Sequence, residues 1–365
     1  MTGLLRAALP VVAVVVFVAF TGAILASAGP TLGYDYQAYL GAAERALDGQ
    51  PLYDASVDVA GDFAIFLYPP PFALALIPFA LLPEPTGLIA WEVLMVAAFL
   101  LGVAVLPVRP AVRWGIVLLG GLDWPLLFAF KLGQVGPLLF LLFAIGWRWR
   151  DRAGVLGLSM AAGALVKVQP VILIGWAVLT GRWRAAGISL GVFVGAVAVA
   201  TVAFGPAVWF DYVALLGRVS SPVTTPHNFT PGAIAFQLGL SESVASAVQL
   251  VATVLIVAVV LVAIRNASHT VSFLTTIVAS QMLSPLLWDH YAVVLLLPVA
   301  WLLERGHWWA AAIPLLTSLP LLGIMPAAVY PLVFAGGLVG PLLVELAGYR
   351  DKGRPGSAAA RLGAT

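Results

Sequence analysis

The stretch Thr31–Pro71, TLGYDYQAYLGAAERALDGQPLYDASVDVAGDFAIFLYPPP, follows a single apolar segment and is the longest polar interval before the C-terminal tail. It carries Asp35, Glu44, Asp48, Asp54, Asp58 and Asp62 against one basic residue, Arg45. Lys and Arg are what hold loops in the cytoplasm, so a loop this acidic between membrane segments is expected on the opposite side. Its aromatic residues, Tyr34, Tyr36, Tyr39, Tyr53, Phe63, Phe66 and Tyr68, predict that it packs at the interface instead of floating in solvent. The rest of the chain then reads as a membrane scaffold that holds this loop over a cavity.

Composition agrees. Of 365 residues, 62% are hydrophobic and 9% charged, where a soluble domain carries about 25% charged residues. Apolar runs of about 20 residues recur from end to end, the pattern of an all-α, polytopic integral membrane protein. The 18 basic and 16 acidic residues nearly cancel, so no nucleic-acid partner is implied; Lys and Arg simply collect in short turns. The absence of cysteine excludes disulfides, thiol nucleophiles and Cys metal sites. Arg6, an apolar run and Ala26-Ser27-Ala28 imitate a cleaved signal peptide. The run Ala7–Ala28 is longer than the usual core of about 7–15 residues, so it reads as an uncleaved first membrane helix.

Crossing parity and loop charge must agree. A helix over 7–28 runs outward and delivers the acidic loop, 29–85. If the apolar stretch before Leu82 crossed fully, Arg109, Arg113 and Arg148–Arg152 would all lie outside; a re-entrant or interfacial helix puts every later basic cluster inside. Spans are then expected over 86–107, 113–130, 136–148, 153–166, 170–181 and 186–207, then 243–264, 270–287, 291–304, 308–325 and 327–347. Several are too short for a straight span of about 30 Å, which is tolerated beside a water-filled cavity. A second outer loop, 208–240, carries an amphipathic pattern (Trp209, Phe210, Tyr212, Leu215, Leu216). The count is about 12 crossings with both termini cytoplasmic. Residues 1–347 form one transmembrane domain and 348–365 a disordered cytoplasmic tail. No internal repeat supports an inverted-repeat transporter.

Under this topology Asp35, Gln134, Lys167, Gln169, Arg218, His227, Asn228, Asp289 and His290 all gather on the outer side. Ionisable groups at membrane depth are costly and usually functional. A carboxylate beside cations suits group transfer from an anionic phosphate-bearing lipid: the carboxylate takes a proton while the cations hold the leaving phosphate. The absences point the same way. There is no Asp-x-Asp pair for a metal-bound nucleotide sugar, no P-loop and no zinc-ligand spacing. Neither a metal nor another cofactor is expected.

The pattern Asp35-x-x-x-Tyr39-x-x-Ala42-Ala43, Leu47-x-Gly49-x-Pro51-Leu52-Tyr53 and Tyr68-Pro69-Pro70 resembles the opening of glycosyltransferase family 87 enzymes. So do Gly133-Gln134-Val135, Lys167-x-Gln169-Pro170 followed by GRWR, and Ser284-Pro285-x-x-Trp288-Asp289-His290. The resemblance implies a GT-C fold and a polyprenyl-phosphate-mannose-dependent mannosyltransferase, or its arabinofuranosyl relative. It further implies inverting, metal-independent transfer to a glycolipid or envelope-glycan acceptor, on the outer face of a bacterial cytoplasmic membrane.

By position the resemblance makes Asp35 the general base and places Lys167 near the lipid phosphate. Each residue also has a plainer reading. Asp35 could be a helix N-cap and Lys167 a snorkelling lysine. Asp289 and His290 could contact donor phosphate or sugar, or form a packed turn. Arg218, His227 and Asn228 could bind donor or be incidental to the second loop, and Gln134 could bind donor or satisfy backbone in a broken helix. A transporter or flippase of lipid-linked sugars is the rival from another class; it would need polar groups at the bilayer midplane.

Overall fold

The computed structural model describes residues 3–53, 65–218, 222–225 and 227–352. Asp54, Asp58, Asp62 and Phe63 of the acidic loop, and the tail from 353 onward, lie outside the described residues. Among those described, all regular structure is helical: seventeen α-helices and five short 3-10 helices. Five helices are long and apolar enough to cross a membrane: Ala7–Ser27, Glu84–Val105, Trp183–Phe204, Glu242–Asn266 and Val329–Gly348. The chain is therefore a polytopic membrane protein in which many further apolar helices are short, among them Pro70–Ala80, Gly136–Arg148 and Ala153–Val166. Trp183–Phe204 and Glu242–Asn266 leave most of their apolar surface uncovered, as lipid-facing helices do.

Several expected spans depart from their sequence pattern. The helix expected over 270–287 ends at Met282, and that over 291–304 opens as a 3-10 helix, Asp289–Leu295, before Leu296–Glu304. The single short helix expected over 113–130 is two helices, Pro110–Leu122 and Trp124–Leu132, bent by 66° at Asp123. Pro125 has no N–H to continue the ladder and restricts the residue before it. Trp124 opens the second helix, where its N–H has no intrahelical acceptor, and donates to Ser318 Oγ at 2.9 Å. The 208–240 segment, expected as a loop, is also helical in part, over Ala207–Arg218 and Pro231–Gln237. The amphipathic pattern there becomes a helix burying Val208, Tyr212 and Leu215.

The basic turns are joined to one another. Arg109 pairs with Glu304 (Nε to Oε1, 2.9 Å), and its backbone N–H donates to Glu304 Oε2 at 2.8 Å. Arg182 donates to Asp151 Oδ1 at 3.2 Å and to the Arg150 carbonyl at 2.6 Å. These are turns that charge alone assigns to a common side.

Close helix packing is enforced by glycine at one crossing. A Cβ on Gly121 would stand 2.7 Å from Phe17 Cα and 2.9 Å from Phe17 N, so the first helix lies directly on the 110–122 helix. Phe17 then stacks on Phe99 at 5.5 Å. Backbone cannot yield as a side chain can, so Gly121→Ala should destabilise by about 1–3 kcal/mol. Gly115→Ala, in the same helix with nothing within 4 Å of the added methyl, should be neutral or slightly stabilising. Thermal unfolding of the two variants in detergent checks the opposite signs.

Candidate active site

The first-loop helix Tyr34–Leu47 starts from Gly33, whose φ of 69° is accessible to glycine at little cost. The Gly33 N–H donates to the Lys131 carbonyl at 2.8 Å, which seats the helix start against the 131–135 turn. Tyr36, Tyr39, Leu40 and Ala43 form its buried face at helical spacing. Gly33, not Asp35, is the N-cap, and no side chain caps this helix. The N-cap reading of Asp35 therefore fails. Asp35 stands in the first turn, half-buried, and its Oδ2 accepts from Gln134 Nε2.

Gln134 is held in turn. Gly133 before it has a φ of 71°, and its carbonyl accepts from Trp91 Nε1 at 2.6 Å. The Gln134 side chain reaches no peptide group: its Oε1 faces the Tyr39 hydroxyl at 3.3 Å and the Tyr68 hydroxyl at 3.2 Å. Those two hydroxyls are 2.7 Å apart. Burial pushes both phenols well up, so they remain neutral donors. Tyr53 supports the arrangement by donating to the Tyr68 carbonyl at 2.6 Å and stacking on Tyr212 of the second loop.

Lys167 follows the helix Ala153–Val166 in extended backbone and is 6% exposed. Its Nζ lies 4.0 Å from the Tyr291 ring centre and 5.7 Å from that of Tyr68, so aromatic faces stabilise the cation, which makes no salt bridge of 4 Å or less among the described residues. Gln169 Nε2 donates to Ser284 Oγ at 3.1 Å and to the Tyr291 hydroxyl at 3.2 Å, tying this segment to the 284–291 turn. There Asp289 Oδ1 accepts the His290 backbone N–H at 2.8 Å and lies 3.3 Å from His290 Nδ1. That second approach is not aligned as a hydrogen bond. Neither ring nitrogen of buried His290 has a hydrogen-bond partner among the described residues.

The electrostatics bind these groups into one site. Burial raises the Asp35 pKa, opposed by His290, by the Gln134 hydrogen bond and by Lys167, and reinforced by Asp289. Burial lowers that of His290, opposed chiefly by Asp289 and reinforced by Lys167. Asp35, Gln134, Lys167, Asp289 and His290 thus converge from four distant segments. Among the described residues no group of three or more His, Asp or Glu side chains is arranged to hold a metal.

The second-loop candidates behave differently. Arg218 and His227 are exposed, the latter with a φ of 57°. Asn228 is fully buried and holds backbone. Its Oδ1 accepts from the N–H groups of Thr230 (3.1 Å) and Leu287 (3.0 Å), and its Nδ2 donates to the Pro285 carbonyl at 3.2 Å. Asn228 therefore fastens the second loop to the turn carrying His290. Tyr39, Tyr68 and Tyr291 are site residues that the charge-led reading passes over. The signal for Tyr39 is its i+4 spacing from Asp35 on one helix face.

Residues 66–288 match the family model for glycosyltransferase family 87. The chain belongs to that family. Its match begins at Phe66, so Tyr68, Gln134, Lys167 and Ser284 of this family 87 chain lie inside it, while Asp35 and His290 flank it. Two curated relatives carry the name polyprenol-phosphate-mannose-dependent alpha-(1-2)-phosphatidylinositol pentamannoside mannosyltransferase. The Mycobacterium tuberculosis protein is 27% identical over 270 residues, 68% of this chain and 60% of the relative. The Mycolicibacterium smegmatis protein is 30% identical over 291 residues, 74% of this chain and 69% of the relative. The chain thus spans less than two thirds of the first relative. No solved structure matches it.

Asn228→Ala would strip two buried N–H groups of their acceptor, at a cost of about 1–3 kcal/mol. A lowered thermal midpoint should result, and thermal unfolding of the variant checks it.

Proposed function

We propose that the chain is a GT-C-type membrane mannosyltransferase using a polyprenyl phosphomannose donor and a glycolipid or envelope-glycan acceptor. The observation that carries this reading is the Asp35 carboxylate: one oxygen is held by Gln134, the other makes no hydrogen bond among the described residues, and His290 and Lys167 act on the group electrostatically. The relatives' names favour mannose over arabinofuranose.

In the proposed reaction the acceptor hydroxyl oxygen attacks the anomeric carbon and its proton passes to Asp35. The bond from that carbon to the phosphate oxygen breaks, and the electron pair leaves with polyprenyl phosphate. Displacement from the opposite face inverts the anomeric centre. Lys167 stabilises the departing phosphate, and His290 offers a further donor to phosphate or sugar. Lys167 supplies the positive charge and His290 a neutral N–H, so no metal is invoked. A cavity of about 430 Å³ is lined by Phe72, Ala75, Leu138, Leu165, Val199 and Val166, the residue before Lys167. Its apolar walls suit the prenyl chain of the donor.

The site is placed on the outer face of a bacterial cytoplasmic membrane, within a single domain over 1–347 that crosses about 12 times with both ends inside. The paired Arg109–Glu304 and Arg182–Asp151 turns support that grouping. Arg218 and His227, at the exposed edge of the second loop, are placed on the approach of donor or acceptor.

A general base contributes on the order of 10²–10⁴-fold, so Asp35→Asn should lose transfer by that factor. The assay is transfer from radiolabelled polyprenyl phosphomannose to a membrane glycolipid extract. Equal transfer by a folded Asp35→Asn variant would refute the base. The pH profile supplies a sign. Only ionised Asp35 accepts a proton, and burial raises its pKa. The rate should therefore rise with pH along an acidic limb above the ordinary aspartate value of about 3.9.

A further inference from the structure

We propose that Gln134 is a positioning residue for the transfer step: its amide, oriented by the Tyr39–Tyr68 hydroxyl pair, holds one oxygen of Asp35 so that the other meets the acceptor hydroxyl. This rests on the reading of Asp35 as the base.

The orientation follows from counting hydrogens. Tyr39 and Tyr68 carry one hydroxyl hydrogen each, and three contacts are available: hydroxyl to hydroxyl at 2.7 Å, and each hydroxyl to Gln134 Oε1 at 3.3 and 3.2 Å. If one hydrogen occupies the short contact, the other is left for Oε1. An amide flipped the other way would set its oxygen against the Asp35 carboxylate, acceptor against acceptor, and its NH₂ against the hydroxyl pair, leaving the second hydroxyl hydrogen without Oε1 as its acceptor. The network therefore runs in one direction, Tyr to Tyr to Gln to Asp. It ends on Oδ2 alone.

Such a chain differs from a structural staple. A staple contributes only to folding, whereas a donor bound to Asp35 favours its ionised form. The other groups facing Asp35 are Tyr34 and Tyr39 from its own helix, Tyr68 from the loop strand before Pro69, Lys167, and the Asp289–His290 pair. Glu84, which accepts from Gln37 at 3.0 Å, Glu92 and Lys131 sit on elements bordering the same helix. None of these is itself substituted when Gln134 is replaced, and of them only Tyr39 and Tyr68 lose a hydrogen-bond partner.

The experiment is the pH profile of the maximal rate, with radiolabelled polyprenyl phosphomannose and glycolipid extract, for the full chain and four variants. Gln134→Leu removes the donor. Its acidic limb should move up by about one to two pH units, the size expected for a lost hydrogen bond to a charged group. The rate at neutral pH should drop roughly 10- to 100-fold, with the donor KM little changed. Gln134→Glu should move the other way. Its carboxyl shares one proton with Asp35, so activity survives at mildly acidic pH and falls as the pair loses that proton. If Gln134→Leu does not fold, the double variant Tyr39→Phe/Tyr68→Phe frees the amide to rotate and should shift the limb in the same direction by less. An unmoved limb in every folded variant, with Asp35→Asn inactive, would overturn the role of Gln134 alone. An active Asp35→Asn would instead remove the base on which it rests.

Discussion

The join between the first-loop helix and the 131–135 turn is the contact on which the site depends. Two of its hydrogen bonds run from the Gly33 N–H to the Lys131 carbonyl and from Gln134 to Asp35, beside that of Tyr39 to Gln134. Both lie where water is scarce, and a polar group left without a partner there is expensive. That constraint propagates outward. Gly33 and Gly133 supply the left-handed turns that bring the two backbones together, and a Cβ on Gly133 would stand 3.0 Å from Tyr36 Cβ. Tyr39 and Tyr68 then fill the acceptor side of the amide, and Tyr53 ties Tyr68 to the second loop.

Short helices set where these groups meet. Gly136–Arg148 has 13 residues and Ala153–Val166 has 14, so each extends only about 20 Å. The hydrocarbon core is about 30 Å thick. Turns bearing Gln134 and Lys167 can therefore sit at the bottom of a recess. The apolar cavity between Pro70–Ala80 and the 136–148, 153–166 and 183–204 helices is lined by Val166, the residue before Lys167. An apolar cavity ending one residue from a buried lysine is the arrangement on which the proposed prenyl phosphate donor rests.

Much of this is visible in the chain before any coordinates. The 136–148 and 153–166 helices have the bounds that apolar runs and flanking Arg and Lys mark out. Loop charge also gathers Asp35, Gln134, Lys167 and His290 on one side. What periodicity cannot supply is pairing at long range: Asp35 and Gln134 are 99 residues apart in the chain, and either could have found other partners. The 66° break at Asp123 is foreshadowed by Pro125 but hidden by an uninterrupted apolar pattern. Asn228 stands out by type alone, and only its contacts with Thr230, Leu287 and Pro285 show that it serves the backbone. Asp35 precedes a helical stretch as a cap would. The left-handed Gly33 takes that place instead, because the chain must turn tightly to reach Lys131.

An experimental structure of the full chain with polyprenyl phosphate bound bears most directly on the proposed site. The phosphate should lie within about 3 Å of Lys167 Nζ, at hydrogen-bonding distance. Its prenyl chain should run past Phe72 and Val199. A phosphate bound instead at the Arg109, Arg150 and Arg182 turns would contradict both the placement of the donor and the choice of face.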